Sequence, residues 1–329
     1  MSHREATPSW GQAAAGPAPG PRQLTPGAAA ELVGVSRWYG NVVAVNDISF
    51  VLAPGVTGLL GPNGAGKSTI LHMLAGLLRP SDGTVAIRGA SSWRNPAVYR
   101  DLGLVPERES VHSFLTGFEF ARLNARLQRL PDPDAAARRA IATVGLEDAA
   151  DRAVGTYSKG MRQRAKIAGA LVHDPSILLL DEPFNGMDPR QRLQMMELFG
   201  RMADEGRVIL FSSHILEEVE RLAQNVLVIV SGRLAASGDF REIRRLMTDR
   251  PHTFTIRSSD DRRLAGALVG HQSVFGVGLD VGRLAVRTSD YAGFARALPA
   301  LARTCDVSIL ELRPTDEDLE SVFGYLVQR

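Results

Sequence analysis

The stretch GPNGAGKST, residues 61–69, decides how the rest of the chain is interpreted. It satisfies the pattern G-x-x-x-x-G-K-[ST], in which glycines let backbone N–H groups converge on phosphate oxygens, the lysine reaches the outer phosphates and the hydroxyl ligates Mg²⁺. An apolar run, residues 56–60, precedes it, and TILHMLAGLL, residues 69–78, follows it with helical apolar spacing. This order of strand, loop and helix is the one that phosphate binding requires.

We therefore expect nine residues to surround a nucleotide phosphate: Gly61, Pro62, Asn63, Gly64, Ala65, Gly66, Lys67, Ser68 and Thr69. The alternative is a glycine-rich turn that happens to precede a lysine. Only three lysines occur in the chain, at positions 67, 159 and 166, so chance rarely produces such a match.

A second motif is the apolar run at residues 177–182, ILLLDE, which ends in two adjacent carboxylates. Parallel α/β sheets bind ligands at the carboxyl ends of their strands. At that edge Asp181 could hold the hydration shell of Mg²⁺, and Glu182 could orient or deprotonate an attacking water. The alternative is a strand that ends in a solvated acidic pair.

A third motif, YSKGMRQR at residues 157–164, has the features of a helix start. If Ser158 is the N-cap, the first turn of the helix after it has free N–H groups. The hydroxyl of Ser158 and the amide of Gly160 could then contact a phosphate. Taken alone, this segment is equally typical of an ordinary helix start.

Composition limits the class of protein. The 329 residues leave room for two domains, and a single cysteine, Cys305, excludes a disulfide-stapled scaffold. The longest apolar runs, such as 177–180 and 226–230, are too short for a membrane-spanning helix, and residues 1–30 lack the apolar stretch of a signal peptide. A net charge of +2 shows no bias toward nucleic acid. We expect a cytoplasmic protein with no nucleic-acid partner.

The chain divides into three segments by composition. Residues 1–30 are rich in Ala, Gly and Pro and are expected to be a disordered tail. Residues 31–247 alternate short apolar strands with helices, which predicts an α/β fold with a largely parallel sheet. A composition shift near residues 247–252 predicts a linker, and residues 248–329 are expected to form a small C-terminal α+β domain.

The ordered set GPNGAGKST, YSKGMRQR and ILLLDEP, followed by Asp188 in FNGMD and His214 in SSH, resembles the ATP-binding cassette of ABC transporters over roughly residues 31–245. The resemblance implies a P-loop NTPase fold. In this fold an antiparallel β subdomain and a helical subdomain accompany the largely parallel sheet.

The resemblance also implies contacts with the nucleotide. Tyr39, in RWYGNVVAV, stands where members of the family stack a tyrosine on adenine; the alternative is a strand aromatic that packs into the core. Ser158, Lys159 and Gly160 match the signature that touches the γ-phosphate bound by the other subunit. Because the chain has one phosphate loop and one signature, two cassettes must meet head to tail.

Three further residues take their expected roles from the family. Glu182 matches its catalytic glutamate, Asp188 its loop that communicates across the dimer, and His214 its switch histidine that contacts the γ-phosphate. The presence of both Glu182 and His214 argues against a degenerate cassette that binds ATP without hydrolysing it.

The chain departs from the family pattern at two places. Lys159 and Met161 stand where the signature usually has glycine and glutamine, and Glu107 stands where a glutamine is usual. We expect Glu107 to ligate Mg²⁺ through oxygen, together with Ser68 and Asp181. Both departures resemble an export-type subfamily that includes sodium-efflux and anthracycline-efflux ATPases, as does the ending LRPTDEDLESVFGYLVQR.

The expected function is therefore that of an ATP-binding and ATP-hydrolysing subunit of an ABC exporter, using ATP and Mg²⁺. Its expected partners are a second cassette, expected to be a second copy of this chain with a related cassette as the alternative, and a separate integral-membrane permease that holds it at the inner face of the cell membrane. Residues 113–120, SFLTGFEF, are expected to contact the permease as a partly exposed patch; the alternative is a face buried in the helical subdomain. A non-transport ATPase associated with DNA or ribosomes is the alternative function.

Overall fold

The structure is a computed structural model that describes residues 25, 28–108, 111–239, 241–243, 252–280, 282–315, 319 and 323–324. The strands in chain order are β1 (Ala30–Tyr39), β2 (Val42–Leu52), β3 (Gly55–Leu60), β4 (Asp82–Ile87), β5 (Ala90–Ser91), β6 (Leu102–Val105), β7 (Ile177–Asp181), β8 (Val208–Ser213), β9 (Asn225–Val230), β10 (Arg233–Gly238), β11 (His252–Ser258), β12 (Gly276–Asp280), β13 (Arg283–Thr288) and β14 (Ile309–Pro314). The helices are α1 (Lys67–Leu74), α2 (Gly117–Leu127), α3 (Pro133–Thr143), α4 (Lys159–Leu171), α5 (Pro189–Asp204), α6 (Leu216–Leu222), α7 (Asp261–Val269) and α8 (Tyr291–Thr304).

The central six-stranded sheet has the order β10-β9-β3-β8-β7-β6. All neighbouring strands are parallel except β9 and β10. β3, β7 and β8 are buried along their whole length, which is why they read as apolar runs rather than as alternating patterns. Because β3, β7 and β8 run in the same direction, the segments that follow them meet at one edge of the sheet. The predicted α/β fold with a largely parallel sheet is confirmed.

A separate antiparallel sheet, β2-β1-β4-β5, packs with α1 and one face of the central sheet in a common apolar core. Its first strand starts at Ala30, and the N–H and Oγ1 of Thr25 each donate a hydrogen bond to the Glu31 carboxylate at 2.6 Å. The structure thus describes residues 25 and 28–30 within the segment expected to be a disordered tail, and β1 includes Ala30. Residues 1–24, 26 and 27 lie outside the described residues.

The helical subdomain consists of α2, α3 and α4, which contact one another. Their starts follow local capping rules. Thr116 and Glu119 form a capping box for α2. Asp132 caps α3, and Pro133 follows as its first residue. Ser158 caps α4 by accepting a hydrogen bond from the amide three residues further along the chain. The helical subdomain that the family resemblance implies is confirmed.

The C-terminal sheet has the order β12-β13-β11-β14, and every neighbouring pair is antiparallel. The sequence of elements is β11-α7-β12-β13-α8-β14, a βαββαβ arrangement of the ferredoxin-like type. Phe254, Ile256, Leu284 and Val286 point to one face and form a core with both helices that is separate from the cassette cores. The proposed boundary between residues 247 and 248 lies outside the described residues.

The last described residues do not join this C-terminal core. Leu319 is fully buried in the apolar cluster of the helical subdomain and central sheet, and Phe323 packs against the same cluster. Residues 319 and 323 therefore belong with the cassette, although the sequence assigns all of 248–329 to the accessory domain. Within the described ranges, no helix combines the length and apolar character needed to cross a bilayer.

Candidate nucleotide-binding and hydrolytic site

The phosphate loop connects β3 to α1 and depends on two close backbone approaches. Gly66 precedes α1 with φ of 106°, and a Cβ there would lie 2.4 Å from the carbonyl oxygen of Ala44. A Cβ on Gly61 would lie 2.4 Å from the carbonyl oxygen of Ile229. The two glycines therefore allow the loop to lie against β2 and β9 at the start of α1, where a helix N-terminus favours anions.

Lys67, the first residue of α1, turns back into this loop. Its Nζ donates hydrogen bonds to the carbonyl oxygens of Gly61 at 2.7 Å and Pro62 at 3.2 Å. Burial lowers the pKa of its ammonium, while the carboxylates of Glu182 and Asp181 act in the opposite direction. A desolvated cation thus lies beside carboxylates within the phosphate loop.

A cavity of about 330 Å³ opens above the loop. It is lined by Ala44, Asn63, Gly64, Gly66, Lys67, Ser68, Thr69, Glu107, Asp181 and Glu182. The structure therefore brings together most of the predicted phosphate loop and all three predicted Mg²⁺ ligands: Ser68, Glu107 and Asp181.

The donor chemistry of this cavity fits Mg²⁺ held together with a nucleotide. Its candidate ligands are hydroxyl and carboxylate oxygens, which Mg²⁺ prefers. Among the residues that the structure describes, no three His, Cys, Asp or Glu side chains converge into a metal cage. An ion that takes part of its coordination from substrate phosphates and water needs no such cage.

Asp181 and Glu182 are held at the end of β7 by a serine from the neighbouring strand. The Oγ of Ser212 donates to Asp181 Oδ1 at 2.5 Å and accepts from the N–H of Glu182 at 3.0 Å. Glu182 has φ of 49°, a left-handed conformation that is uncommon outside glycine. The role of Ser212 was not predicted, although the two serines that end the apolar run VILFSS were a signal.

Glu182 also meets the predicted switch histidine. Nδ1 of His214 lies 2.9 Å from Oε2 and 3.0 Å from Oε1 of Glu182. Burial raises the pKa of Glu182, and the hydrogen bond from His214 acts against that rise. A carboxylate with a raised pKa is a better proton acceptor, which suits a general base.

The segment of His214 is itself braced by buried polar residues. Ser213 Oγ donates to Glu218 Oε2 at 2.6 Å, and Arg192 from α5 pairs with Glu218 Oε1 at 3.2 Å. Glu218 is only 4 % exposed. These contacts were not predicted, because an acidic residue in a short helix is ordinarily expected to be exposed to solvent.

The signature residues lie away from the phosphate loop of their own chain. Ser158 accepts from the N–H of Met161 at 3.2 Å, and a Cβ on Gly160 would lie 2.3 Å from Oε1 of Gln191. Lys159 lines a second cavity, of about 400 Å³, that shares Glu107 with the first. None of the three signature residues lines the cavity above the phosphate loop.

Tyr39 and Asp188 occupy exposed positions outside that cavity. Tyr39 is 47 % exposed, with the guanidinium of Arg37 4.7 Å from its ring centroid, so the alternative of core packing is wrong. Asp188 caps α5 by accepting from the N–H of Gln191 at 2.8 Å. Their roles toward a nucleotide stay predictions.

Comparison with known proteins gives consistent matches. Residues 45–185 match the family described as ABC transporter. The chain is 36 % identical over 287 residues to the daunorubicin/doxorubicin resistance ATP-binding protein DrrA of Streptomyces peucetius, covering 85 % of this chain and 86 % of that protein. It is 30 % identical over 300 residues to the bacitracin transport ATP-binding protein BcrA of Enterococcus faecalis, covering 90 % and 96 %. A solved structure of an ATP binding subunit of an ABC transporter superposes with a TM-score of 0.60 at 30 % identity, covering 66 % of this chain and 92 % of that one.

Proposed function

The chain belongs to the family of ABC transporter ATP-binding proteins and is an ATPase, and from that premise we propose that it powers export through a separate membrane permease. One observation carries the proposed chemistry. The buried Glu182 shares a cavity with Lys67 and Asp181, and His214 contacts its carboxylate. A nucleophile-activating carboxylate, a phosphate-binding lysine and oxygen ligands thus face the same space.

Each residue then has a defined task. The amides of residues 61–69 and the Lys67 ammonium hold the phosphates, while Tyr39 offers its exposed ring to the adenine. The oxygens of Ser68, Glu107 and Asp181 would hold Mg²⁺. When bound, this ion would offset the negative charge of the phosphates. Glu182 orients the attacking water and accepts its proton, and His214 keeps the carboxylate in place.

The working unit in this proposal contains two cassettes. Ser158, Lys159 and Gly160 do not line the cavity above the phosphate loop of their own chain, which supports contact with a nucleotide held by another copy. A head-to-tail pair of this chain would complete two equivalent sites, with Asp188 near the boundary between them. Loss of the γ-phosphate would remove the shared ligand and separate the pair.

The export role rests on the relatives and on an exposed aromatic. One relative is named for daunorubicin and doxorubicin resistance and another for bacitracin transport. Phe114 is 76 % exposed and stacks with His112, whereas Phe118 packs against the core of the helical subdomain. Within residues 113–120, the proposed contact with the permease is therefore limited to the residues around Phe114. The reported relatives give no support to a DNA- or ribosome-associated ATPase.

The test uses a Glu182→Gln variant, which removes the proton acceptor and keeps the size of the side chain. We expect ATPase activity to fall by about 100-fold or more while ATP still binds. Tagged protein purified from membranes with ATP should then bring down a polytopic membrane protein. The exposed Glu197 in α5 offers a matched control, because Glu197→Gln should retain full activity. Recovery of ribosomes or DNA-bound proteins instead would contradict the export role.

A further inference from the structure

Lys166 forms an unusual contact behind the nucleotide cavity. It lies in α4, and its Nζ donates hydrogen bonds to three consecutive carbonyl oxygens: Pro106 at 2.8 Å, Glu107 at 3.1 Å and Arg108 at 3.3 Å. Lys166 is only 6 % exposed. A buried ammonium thus holds one short turn of backbone against a helix of the helical subdomain.

The residue type suits this task. Three carbonyl oxygens that converge on one point match a compact ammonium with three rotatable donors, whereas the planar guanidinium of arginine spreads its donors in a fixed fork. The chain otherwise uses arginine, since only three of its 38 basic residues are lysines. The other two, Lys67 and Lys159, belong to the phosphate loop and the signature.

The turn held by Lys166 carries a predicted Mg²⁺ ligand. It follows β6 at the carboxyl edge of the central sheet, and Glu107 lines both the nucleotide cavity and the second cavity. Lys166 lines the second cavity as well, together with Lys159 at the start of α4. The same helix therefore begins with the signature and, two turns later, holds the backbone of Glu107.

We propose that Lys166 is a positioning residue that ties Glu107 to the signature helix and so places the Glu107 carboxylate for the metal–nucleotide complex. This inference rests on the proposed function of the site. The ammonium binds the negative ends of three carbonyl dipoles and so fixes the turn, while Glu107 lines the nucleotide cavity. A shift of α4 would carry the turn, and the carboxylate, with it.

The test compares two anchors on the same helix. Lys166→Met removes the ammonium and keeps an unbranched apolar stem. Arg164→Met is the matched control, because Nη1 of Arg164 also donates to backbone carbonyls, those of Val144 at 3.1 Å and Gly145 at 2.8 Å, but neither Val144 nor Gly145 lines the nucleotide cavity. Both variants lose one side-chain anchor of α4, and only one of them loses the contact to Glu107.

The first measurement is hydrogen exchange of the nucleotide-free protein. Lys166→Met should speed exchange in peptides that span residues 102–108, and Arg164→Met should speed it around residues 144–145 instead. The second is titration of the ATP complex with Mn²⁺, followed by electron paramagnetic resonance in a Glu182→Gln background. Lys166→Met should raise the half-saturating Mn²⁺ about tenfold, which is about 1.4 kcal/mol, whereas Arg164→Met should leave it unchanged.

A double variant separates positioning from simple stabilisation. If Lys166 acts through Glu107, adding Lys166→Met to Glu107→Ala should raise the half-saturating Mn²⁺ no further. Equal shifts for the two anchor variants, or a full additional shift in the double variant, would overturn the proposal. Should Lys166→Met fail to fold, Lys166→Arg serves, since a guanidinium cannot donate to all three carbonyls in the same way. A wild-type protein that binds no ATP would refute the proposed function. The hydrogen-exchange experiment would still test whether Lys166 holds the backbone of residues 106–108.

Discussion

The central sheet and the C-terminal sheet use their polar residues in opposite ways. At the carboxyl edge of the central sheet, Lys67, Asp181 and Glu182 are 8 %, 2 % and 8 % exposed and share one cavity. In the C-terminal domain, the arginines of the strands lie exposed on the sheet face turned away from α7 and α8: Arg257, Arg283, Arg287 and Arg313. Buried charge is thus concentrated in one region and largely absent from the described part of the other.

Strand direction explains this difference. Parallel strands end at the same edge, so the segments after β3, β7 and β8 deliver their polar side chains to one place. Neighbouring antiparallel strands end at opposite edges, so the polar ends of β11, β13 and β14 are divided between them. The parallel sheet therefore brings polar side chains together at one edge, whereas the antiparallel sheet divides them between two edges and contributes mainly an apolar core.

The largest expected effect compares two left-handed glycines. Gly66→Ala should weaken ATP binding by about 100-fold or more, because its Cβ meets a backbone oxygen at 2.4 Å and its φ of 106° strains alanine. Gly282, in the C-terminal domain, has φ of 68° with nothing within 4 Å of a Cβ, so Gly282→Ala is the matched control. Nucleotide titration of both variants measures the difference. Equal affinities would show that the close approach at Gly66 does not shape the site.

The next effect concerns pH. His214→Ala should lower ATPase turnover by about 10- to 100-fold and move the acid limb of the pH–rate profile to higher pH. The sign follows from Glu182, which must be ionised to accept a proton. Its pKa is raised by burial and lowered by His214, so loss of the imidazole raises the pKa further.

The pH–rate profile of the residual activity measures this shift. His271→Ala is the control in the C-terminal domain, where the described hydrogen bonds of the imidazole are with Ser273. An acid limb that stays in place, or moves down, would contradict the assigned role of the His214–Glu182 contact.

A smaller effect on ATPase tests whether the two regions are independent. Ile256→Ala removes buried atoms from the C-terminal core and should cost that domain about 2–5 kcal/mol of its unfolding free energy. Because this core is separate from the cassette cores, ATPase activity at a permissive temperature should change less than twofold. Urea unfolding and ATPase assays on one preparation provide both values. A parallel loss of activity would mean that the accessory domain supports the catalytic edge.

The smallest expected effect on the C-terminal domain is that of Leu319→Ala, which tests where the boundary between the two regions lies. Leu319→Ala should destabilise the cassette by about 2–5 kcal/mol, because the side chain is buried in its core. The C-terminal core, which Leu319 does not enter, should unfold as in the wild type. Hydrogen exchange resolved by segment distinguishes the two. Exchange that rises only in residues 252–315 would contradict the assignment of Leu319 to the cassette.

Local patterns of the amino-acid sequence were sufficient for the phosphate loop, the acidic end of β7 and the Ser158 cap of α4, and the alternation of strands and helices along the chain was sufficient for the largely parallel sheet. The loop, the acidic pair and the cap each depend on residues within about one turn or one strand of each other, so spacing and residue type express them directly. Family resemblance then added His214, Asp188 and the signature, whose roles toward the nucleotide stay predictions.

Only the tertiary structure decided the contacts that join distant segments. Ser212 reaches back 31 residues to Asp181, Lys166 reaches 59 residues to Glu107, and Leu319 returns to the cassette from beyond the C-terminal domain. The amino-acid sequence determined which elements form and which chemistry they carry. Which serine, lysine or leucine meets that chemistry depends on strand order and helix docking, because a contact across the fold leaves no periodicity in the chain.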